Sequence, residues 1–246
     1  LRFGEAAIRL GLIGEEDFRH ALAAQFDYAY LQPDNCALSR ELVAAFESHG
    51  PRLEMLRALR SQLLLRWLDT DAEHKTLAVV SPNPGEGRTY LAANLAVVFS
   101  QLGERTLLIE SDLRQPRLHK LFDLQGSIGL STILSGRGDL GVIEPIAGLD
   151  RLFVLPAGVV PPNPQELLAR PAFAEIVRRL TAEFDVILFD TPAGGRYADV
   201  QAIAAVARAA VMATRQHQTR LADARELADK LRHARTQIVG TVLAEF

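Results

Sequence analysis

Apolar side chains along this chain occur in two arrangements, short runs of strand length and longer stretches in which they recur every three or four residues. Runs of the first kind cover residues 76–80, 105–114, 151–155, 184–190, 209–214 and 237–243, and each reads as a strand. Between them lie an apolar stretch at 91–99, expected as a buried helix, and an amphipathic one at 221–232. Pro161, Pro162, Asn163 and Pro164 force an extended turn ahead of a further helix. Strands alternating with helices predict an α/β fold, a doubly wound and mainly parallel sheet. Ahead of it, the apolar residues of 1–25 recur at three and four around Gly11 and Gly14 and predict two short helices, the second starting at Glu15, Glu16 and Asp17. Residues 31–36, punctuated by proline, aspartate and asparagine, read as a linker. A helix resumes at Ser39, breaks at Gly50 and Pro51, and is followed by another over 53–68. The expected organisation is a helical docking module at 1–32, a linker and helix at 33–50, and an α/β domain at 51–246.

The chemistry collects where three of the strands end. After the 76–80 run come Ser81, Pro82, Asn83, Pro84, Gly85, Glu86, Gly87, Arg88, Thr89 and Tyr90, and then a helix. Strand, glycine loop and helix form a phosphate-binding arrangement. Gly85 and Gly87 permit a tight turn that aims N–H groups inward, and the helix start adds unpaired donors and positive dipole. Thr89 supplies the hydroxyl that such loops place on Mg²⁺. Pro82 stands at the usual first glycine and Arg88 at the usual lysine, so a surface turn is the plain alternative for the loop taken alone. The strand over 105–114 carries Glu110 and Asp112, two residues apart, which would point the same way if extended backbone continued through Asp112. Asp190 closes another apolar strand in the position of a Walker B carboxylate. Carboxylates at the C-terminal ends of parallel strands face the crevice where open α/β sheets bind ligands.

Composition narrows the classes. With 246 residues, 48% of them hydrophobic, the chain can bury one α/β core and carry a small extra module. A net charge of −3 offers no reason to expect nucleic acid; residues 1–50 hold 4 basic and 8 acidic side chains, so the front piece is the acidic one. The single cysteine, Cys36, excludes an internal disulfide and a cysteine-built metal site, as expected in a reducing cytosol. No apolar run approaches the roughly 20 residues that span a bilayer, and no signal peptide is visible, so a soluble protein is expected. Leu1 in place of methionine is expected of a fragment or a trimmed chain.

Together, residues from about 51 to 246 resemble the bacterial tyrosine kinases that accompany polysaccharide export, in the form with a separate cytoplasmic kinase chain. The resemblance is carried by 84–87 with 94–96, by Asp112, Leu113 and Arg114 with His119, by 129–131, by 161–164 with 166–168, and by Asp190, Thr191 and Pro192. The Pro-Pro-Asn-Pro segment is the most discriminating of these. The helical front piece suits the exopolysaccharide chain-length determinant branch (EpsG-like). It is also similar to one repeat of the N-terminal domains of type II secretion and pilus ATPases, some of which bind cyclic di-GMP.

The resemblance implies a protein-tyrosine kinase using ATP and Mg²⁺, with residues 84–90 cradling the nucleotide (Pro84, Gly85, Glu86, Gly87, Arg88, Thr89 and Tyr90). It implies that Thr89, Asp112 and Asp190 hold the metal, that Arg88 assists at the phosphates, and that Glu110 accepts the tyrosine proton. Glu54, Arg57 and Arg60, spaced by three on one helix face, would mediate self-association. A membrane chain-length determinant (co-polymerase) would recruit this cytoplasmic chain to the inner membrane. Departures from the family pattern are Arg88 for lysine, Glu110 for aspartate, and Ala244 where relatives often carry an asparagine that bonds adenine. No tyrosine cluster follows Tyr197. Two alternatives stay open: a nucleotide-binding pseudokinase scaffold, favoured by those replacements, and a partitioning-type ATPase, opposed by the absence of a lysine near Ser81.

Overall fold

The structure is a computed structural model that describes residues 3–14, 18, 21, 31, 36–68, 71 and 73–245. Among the described residues the strands are β1 (Thr76–Val80), β2 (Thr106–Glu110), β3 (Glu144–Pro145), β4 (Leu152–Leu155), β5 (Val186–Asp190), β6 (Ala209–Arg215) and β7 (Gln237–Ala244). They form one sheet in the order β3-β4-β2-β5-β1-β6-β7, parallel throughout except where β3 runs against β4. Every residue of β1, β2 and β5 is buried, as expected of central parallel strands covered on both faces.

Side-chain alternation divides the core in two. Leu77, Val79, Leu108, Leu188 and Val211 face one layer, while Ala78, Val80, Ile109, Phe189 and Met212 face the other. The first layer holds α2 (Val43–Phe46), α3 (Pro51–Leu63), which continues as a π-helical turn Leu64–Leu68, and α4 (Arg88–Ser100). The second holds α7 (Pro164–Leu168), α8 (Pro171–Leu180), α9 (Asp199–Ala207) and α10 (Leu221–His233). In α8 the buried residues Phe173, Ile176, Val177 and Leu180 follow the helical spacing of a single apolar stripe. The short helices α5 (Leu118–Leu121) and α6 (Leu130–Leu134) lie beyond the ends of β2 and before β4, and α1 (Phe3–Arg9) stands at the front.

The doubly wound sheet expected from the sequence is present, with strand boundaries within two residues of those expected except for β2, which ends at Glu110, four residues before the expected 114. Several expectations for the first 50 residues change. The helix expected from Ser39 is the four-residue α2, and the Ser39 hydroxyl accepts from the Glu41 N–H (3.3 Å) instead of capping a helix. Leu42, Ala44 and Ala45 are fully buried in the first layer. Asn94 of α4 holds them there, accepting from the Ala44 N–H (3.0 Å) and donating to the Glu41 carbonyl (2.9 Å). Residues 42–45 thus pack in the first core layer. The second front helix, from Glu15, and most of the linker lie outside the described residues. Among those described, no helix is long and apolar enough to cross a membrane.

Candidate active site

β1 lies between β5 and β6, and the chain leaves its C-terminal end as the loop 81–87 before entering α4. Gly85 (φ 76°) and Gly87 (φ 84°) both sit in the left-handed region that a side chain disfavours, and open space surrounds the position a Cβ would take at Gly85. The N–H groups of Gly85, Glu86 and Gly87 have no acceptor among the described residues. The first-turn N–H groups of α4 are unpaired by helix geometry. The loop therefore presents a row of donors to whatever occupies its concavity, with the positive end of a 13-residue helix behind it.

Two strand ends bring acids to this loop. Asp190, the last residue of β5, pairs in register with Val79 of β1 and Glu110 of β2. Its Oδ2 accepts from the Thr89 hydroxyl (2.8 Å), while Oδ1 is buried with no hydrogen-bond partner. Burial pushes the Asp190 carboxyl up to about 7, and the charges of Glu110 and Asp112 add to the rise; the Thr89 hydrogen bond and the Arg88 charge oppose it. A buried carboxylate oxygen lacking a partner, beside a hydroxyl and a ring of N–H donors, fits Mg²⁺ entering with a polyphosphate, which takes one or two carboxylates and completes its shell with phosphate oxygens and water. Among the described residues no cluster of three or more His, Cys, Asp or Glu forms a separate metal site.

The pairing of Glu110 with Asp112 requires correction. β2 ends at Glu110, so the strand alternation that would aim both carboxylates one way stops before Asp112. Glu110 is fully buried: Oε1 accepts from the N–H groups of Arg117 and Leu118, and Oε2 accepts from Ala157 N–H at 3.1 Å. Burial raises its carboxyl above the ordinary range, with those three N–H groups and the charge of His119 pulling it back. Both oxygens are thus spent on two backbone segments, and neither is offered to a substrate hydroxyl in this arrangement. Asp112, half-buried, forms a turn through Oδ1, which accepts from Arg114 (3.1 Å) and Gln115 (3.0 Å) N–H groups. Its Oδ2 has no partner among the described residues.

Arg88 also departs from expectation. Its Nε donates to the Thr191 carbonyl (2.8 Å) and its Nη1 to the Asn83 carbonyl (2.8 Å) and the Ser81 hydroxyl, so the guanidinium braces the loop from within. The longer fork reaches acceptors that a lysine ammonium would not span together. The Glu86 side chain is likewise turned inward, 2% exposed. Tyr90, half-buried, lies in the field of Glu41, Glu47 and Arg52; burial raises its hydroxyl, so the ring belongs to the first core layer. Of the loop residues, the backbone at 85–89 and the Thr89 hydroxyl face the site.

Sequence reading missed the supports of these groups. Arg114 donates to buried Asp199 at the start of α9 through Nε (2.6 Å) and Nη2 (3.1 Å), and its guanidinium lies 4.2 Å from the Tyr197 ring centroid. The turn after β5 closes on the loop by Gly194 N–H to the Ser81 carbonyl (2.9 Å) and Gly195 N–H to the Pro82 carbonyl (2.8 Å). Beyond β4, a Cβ on Gly129 would stand 2.0 Å from the Pro156 carbonyl oxygen, and one on Gly158 would stand 2.8 Å from the Gly129 nitrogen. The 156–164 segment, with its proline motif, is thereby pressed onto the start of α6. Away from the site, Arg57 pairs with Glu54 on α3, and Arg60 Nη1 donates to the Val98 carbonyl (2.8 Å). The triplet expected to act between subunits thus has partners within the chain.

No protein-family model matches the chain. It is 31% identical over 206 residues to tyrosine-protein kinase YwqD of Bacillus subtilis, covering 84% of this chain and 86% of the relative. It is 33% identical over 204 residues to the putative tyrosine-protein kinase EpsB of Ralstonia solanacearum, covering 82% of this chain and 26% of that much longer relative. Among solved structures it is similar to the kinase domain of Escherichia coli tyrosine kinase ETK (TM-score 0.74, 27% identity, 78% of this chain and 74% of that one). It is also similar to the septum site-determining protein MinD of Pyrococcus horikoshii complexed with Mg-ADP (TM-score 0.60, 26% identity, 69% of each chain).

Proposed function

Because the chain belongs to the bacterial tyrosine-protein kinase family, we propose that it transfers the γ-phosphoryl group of Mg·ATP to tyrosine hydroxyls in the machinery that builds and exports exopolysaccharide. The observation that carries this reading is Asp190, a buried carboxylate with one partnerless oxygen, beside the Thr89 hydroxyl and the open donors of the loop. Phosphoryl transfer asks mainly for positioning and charge neutralisation, and these parts supply both. The N–H groups at 85–89 hold the phosphates. Thr89 and Asp190 hold Mg²⁺, which supplies positive charge against the phosphate oxygens. Arg88 keeps the loop curved through Nε and Nη1 and offers Nη2 to a phosphate. Asp112, beside Asp190 and with one carboxylate oxygen unbonded, accepts the tyrosine proton, while Glu110 beneath it fixes the segments that shape the entrance.

Glu54, Arg57 and Arg60 make the contacts of self-association in this reading, exchanging their internal partners for those of a neighbouring copy. Light scattering of the Arg57→Ala, Arg60→Ala double variant should show a smaller assembly than wild type, with the melting temperature lowered by no more than a few degrees. An unchanged molar mass would return the triplet to its internal role. Recruitment to the inner membrane by a co-polymerase partner rests on the family resemblance, as does cyclic di-GMP at 1–32, a module largely outside the described residues.

The experiment that tests the activity measures phosphate transfer from ATP to tyrosine peptides with the cytoplasmic segment of the membrane partner present, alongside calorimetric titration of ATP. Wild type should transfer at least about a hundredfold faster than Asp190→Asn, the factor expected when an electrostatic stabiliser of the transition state is removed. Wild type that binds Mg·ATP yet transfers no faster than Asp190→Asn would replace the kinase by a nucleotide-binding scaffold.

A further inference from the structure

Glu86 sits inside the phosphate loop, yet its carboxylate is buried and held from two directions. From the loop itself, Oε2 accepts from the Asn83 N–H (2.7 Å) and Oε1 from Asn83 Nδ2 (3.2 Å). From 133 residues further along the chain, the Thr219 hydroxyl donates to Oε1. The direction of that bond is fixed by chemistry. A hydroxyl carries one proton, and the Thr219 oxygen already accepts from the Arg215 N–H (2.7 Å), so its proton goes to Glu86. Thr219 belongs to the tight turn between β6 and α10, which closes through the Gln218 and Thr219 N–H groups on the Arg215 carbonyl (3.2 and 2.9 Å) with His217 at φ 60°. The same unit grips the loop a second time, since Asn83 Nδ2 also donates to Asp223 Oδ2 (3.2 Å) in the first turn of α10.

We propose that Thr219 is a positioning residue for the nucleotide: its hydroxyl fixes Glu86 and thereby the curvature of residues 83–87, so the β6–α10 turn sets how tightly the loop holds phosphate. The inference rests on the reading of 81–90 as the phosphate site. Loss of the hydroxyl leaves a buried carboxylate oxygen and the Arg215 N–H each short of a partner, and the loop must reorder when it binds, which costs affinity. The acids at the reaction centre stand on or beyond β2 and β5, away from this turn, so the chemical step at saturating ATP should be retained.

The test compares Thr219→Val, close in shape but without the hydroxyl, with Thr219→Ser, which keeps it. Thr76→Val is the control, because it removes a hydroxyl bond that is more deeply buried than that of Thr219, Thr76 Oγ1 to the Ala207 carbonyl (2.7 Å), at the opposite end of β1. Calorimetry gives Kd for Mg·ATP, and peptide phosphorylation gives KM and kcat. Thr219→Val should raise Kd and KM about tenfold, the factor carried by one hydrogen bond to a charged group, with kcat within about twofold. Thr219→Ser should restore both constants, and Thr76→Val should lower the melting temperature without moving Kd. A wild-type Kd in Thr219→Val, a failure of Thr219→Ser to restore it, or an equal rise in Thr76→Val would overturn the inference while leaving the site reading intact. Failure of wild type to bind Mg·ATP would overturn the site reading itself.

Discussion

Replacing Asp190 by asparagine should make the ligand-free protein more stable at pH 8 while abolishing Mg²⁺-dependent nucleotide binding. The carboxyl is wholly buried and its pKa stands at about 7. A rise of that size costs the ionised form on the order of 4 kcal/mol relative to the unfolded chain. The sign follows from where each state titrates. Above pH 7 both states are ionised and the folded state bears the full cost; as pH falls from 7 towards the ordinary aspartate range the folded state takes up a proton first and the cost disappears. Asparagine removes it at every pH. The expected result is a melting temperature about 5–10 °C higher for Asp190→Asn at pH 8, the gain vanishing near pH 4. Because Mg²⁺ requires the ionised carboxylate, its apparent affinity in wild type should weaken about tenfold per pH unit below 7. A variant less stable than wild type at pH 8, or Mg²⁺ affinity unchanged between pH 8 and 6, would contradict the electrostatic account.

The second large effect is expected at Glu110. If it braces the two segments that it bonds, Glu110→Gln must set an amide NH₂ against at least one of the N–H groups of Arg117, Leu118 or Ala157. One buried donor lost in this way costs about 1–3 kcal/mol. Glu110→Ala, which strands all three, should cost more and melt several degrees lower still. A general base would behave differently: the glutamine variant would lose on the order of a hundredfold or more in kcat with its melting temperature unchanged. Thermal melts beside kcat therefore separate the two roles, and a glutamine variant as stable as wild type would return Glu110 to the chemistry. Asp112→Asn supplies the complement, with kcat lowered and the melting temperature held, since its Oδ1 turn bonds survive the change.

Much of this site was legible because its signals are local. A strand, a glycine loop and a helix follow one another over 76–100, and an apolar run ending in Asp190 states its own direction and burial. The proline motif at 161–164 announces an extended segment because proline fixes the backbone without help from elsewhere. What escaped was set by partners distant in the chain. Arg88 looks like a phosphate ligand in sequence, and only the folded position of the Thr191 carbonyl turns its guanidinium inward. Alternation places Glu110 and Asp112 on one side only while the strand lasts, and β2 stops where Ser111 N–H bonds the Asp190 carbonyl (2.8 Å) and the chain turns away. The two-residue β3 carries no periodicity to detect, and α2 is held by Asn94 of α4 and by Gln101 just after that helix, more than forty residues later in the chain.

The close approach of Gly129 to Pro156, with Gly158 at Gly129 in turn, reaches beyond the energetics of one loop into heredity. Every glycine codon begins with two guanines, and any single-nucleotide change that alters the amino acid without ending the chain installs a residue bearing a Cβ. At Gly129 that carbon would meet a carbonyl oxygen at 2.0 Å, a fixed piece of backbone and not a side chain that could swing aside. Silent changes of the third base aside, neutral drift therefore has no single amino-acid-changing step open to it at this codon. The segment carrying the proline motif is anchored at a place where mutation alone supplies no intermediates.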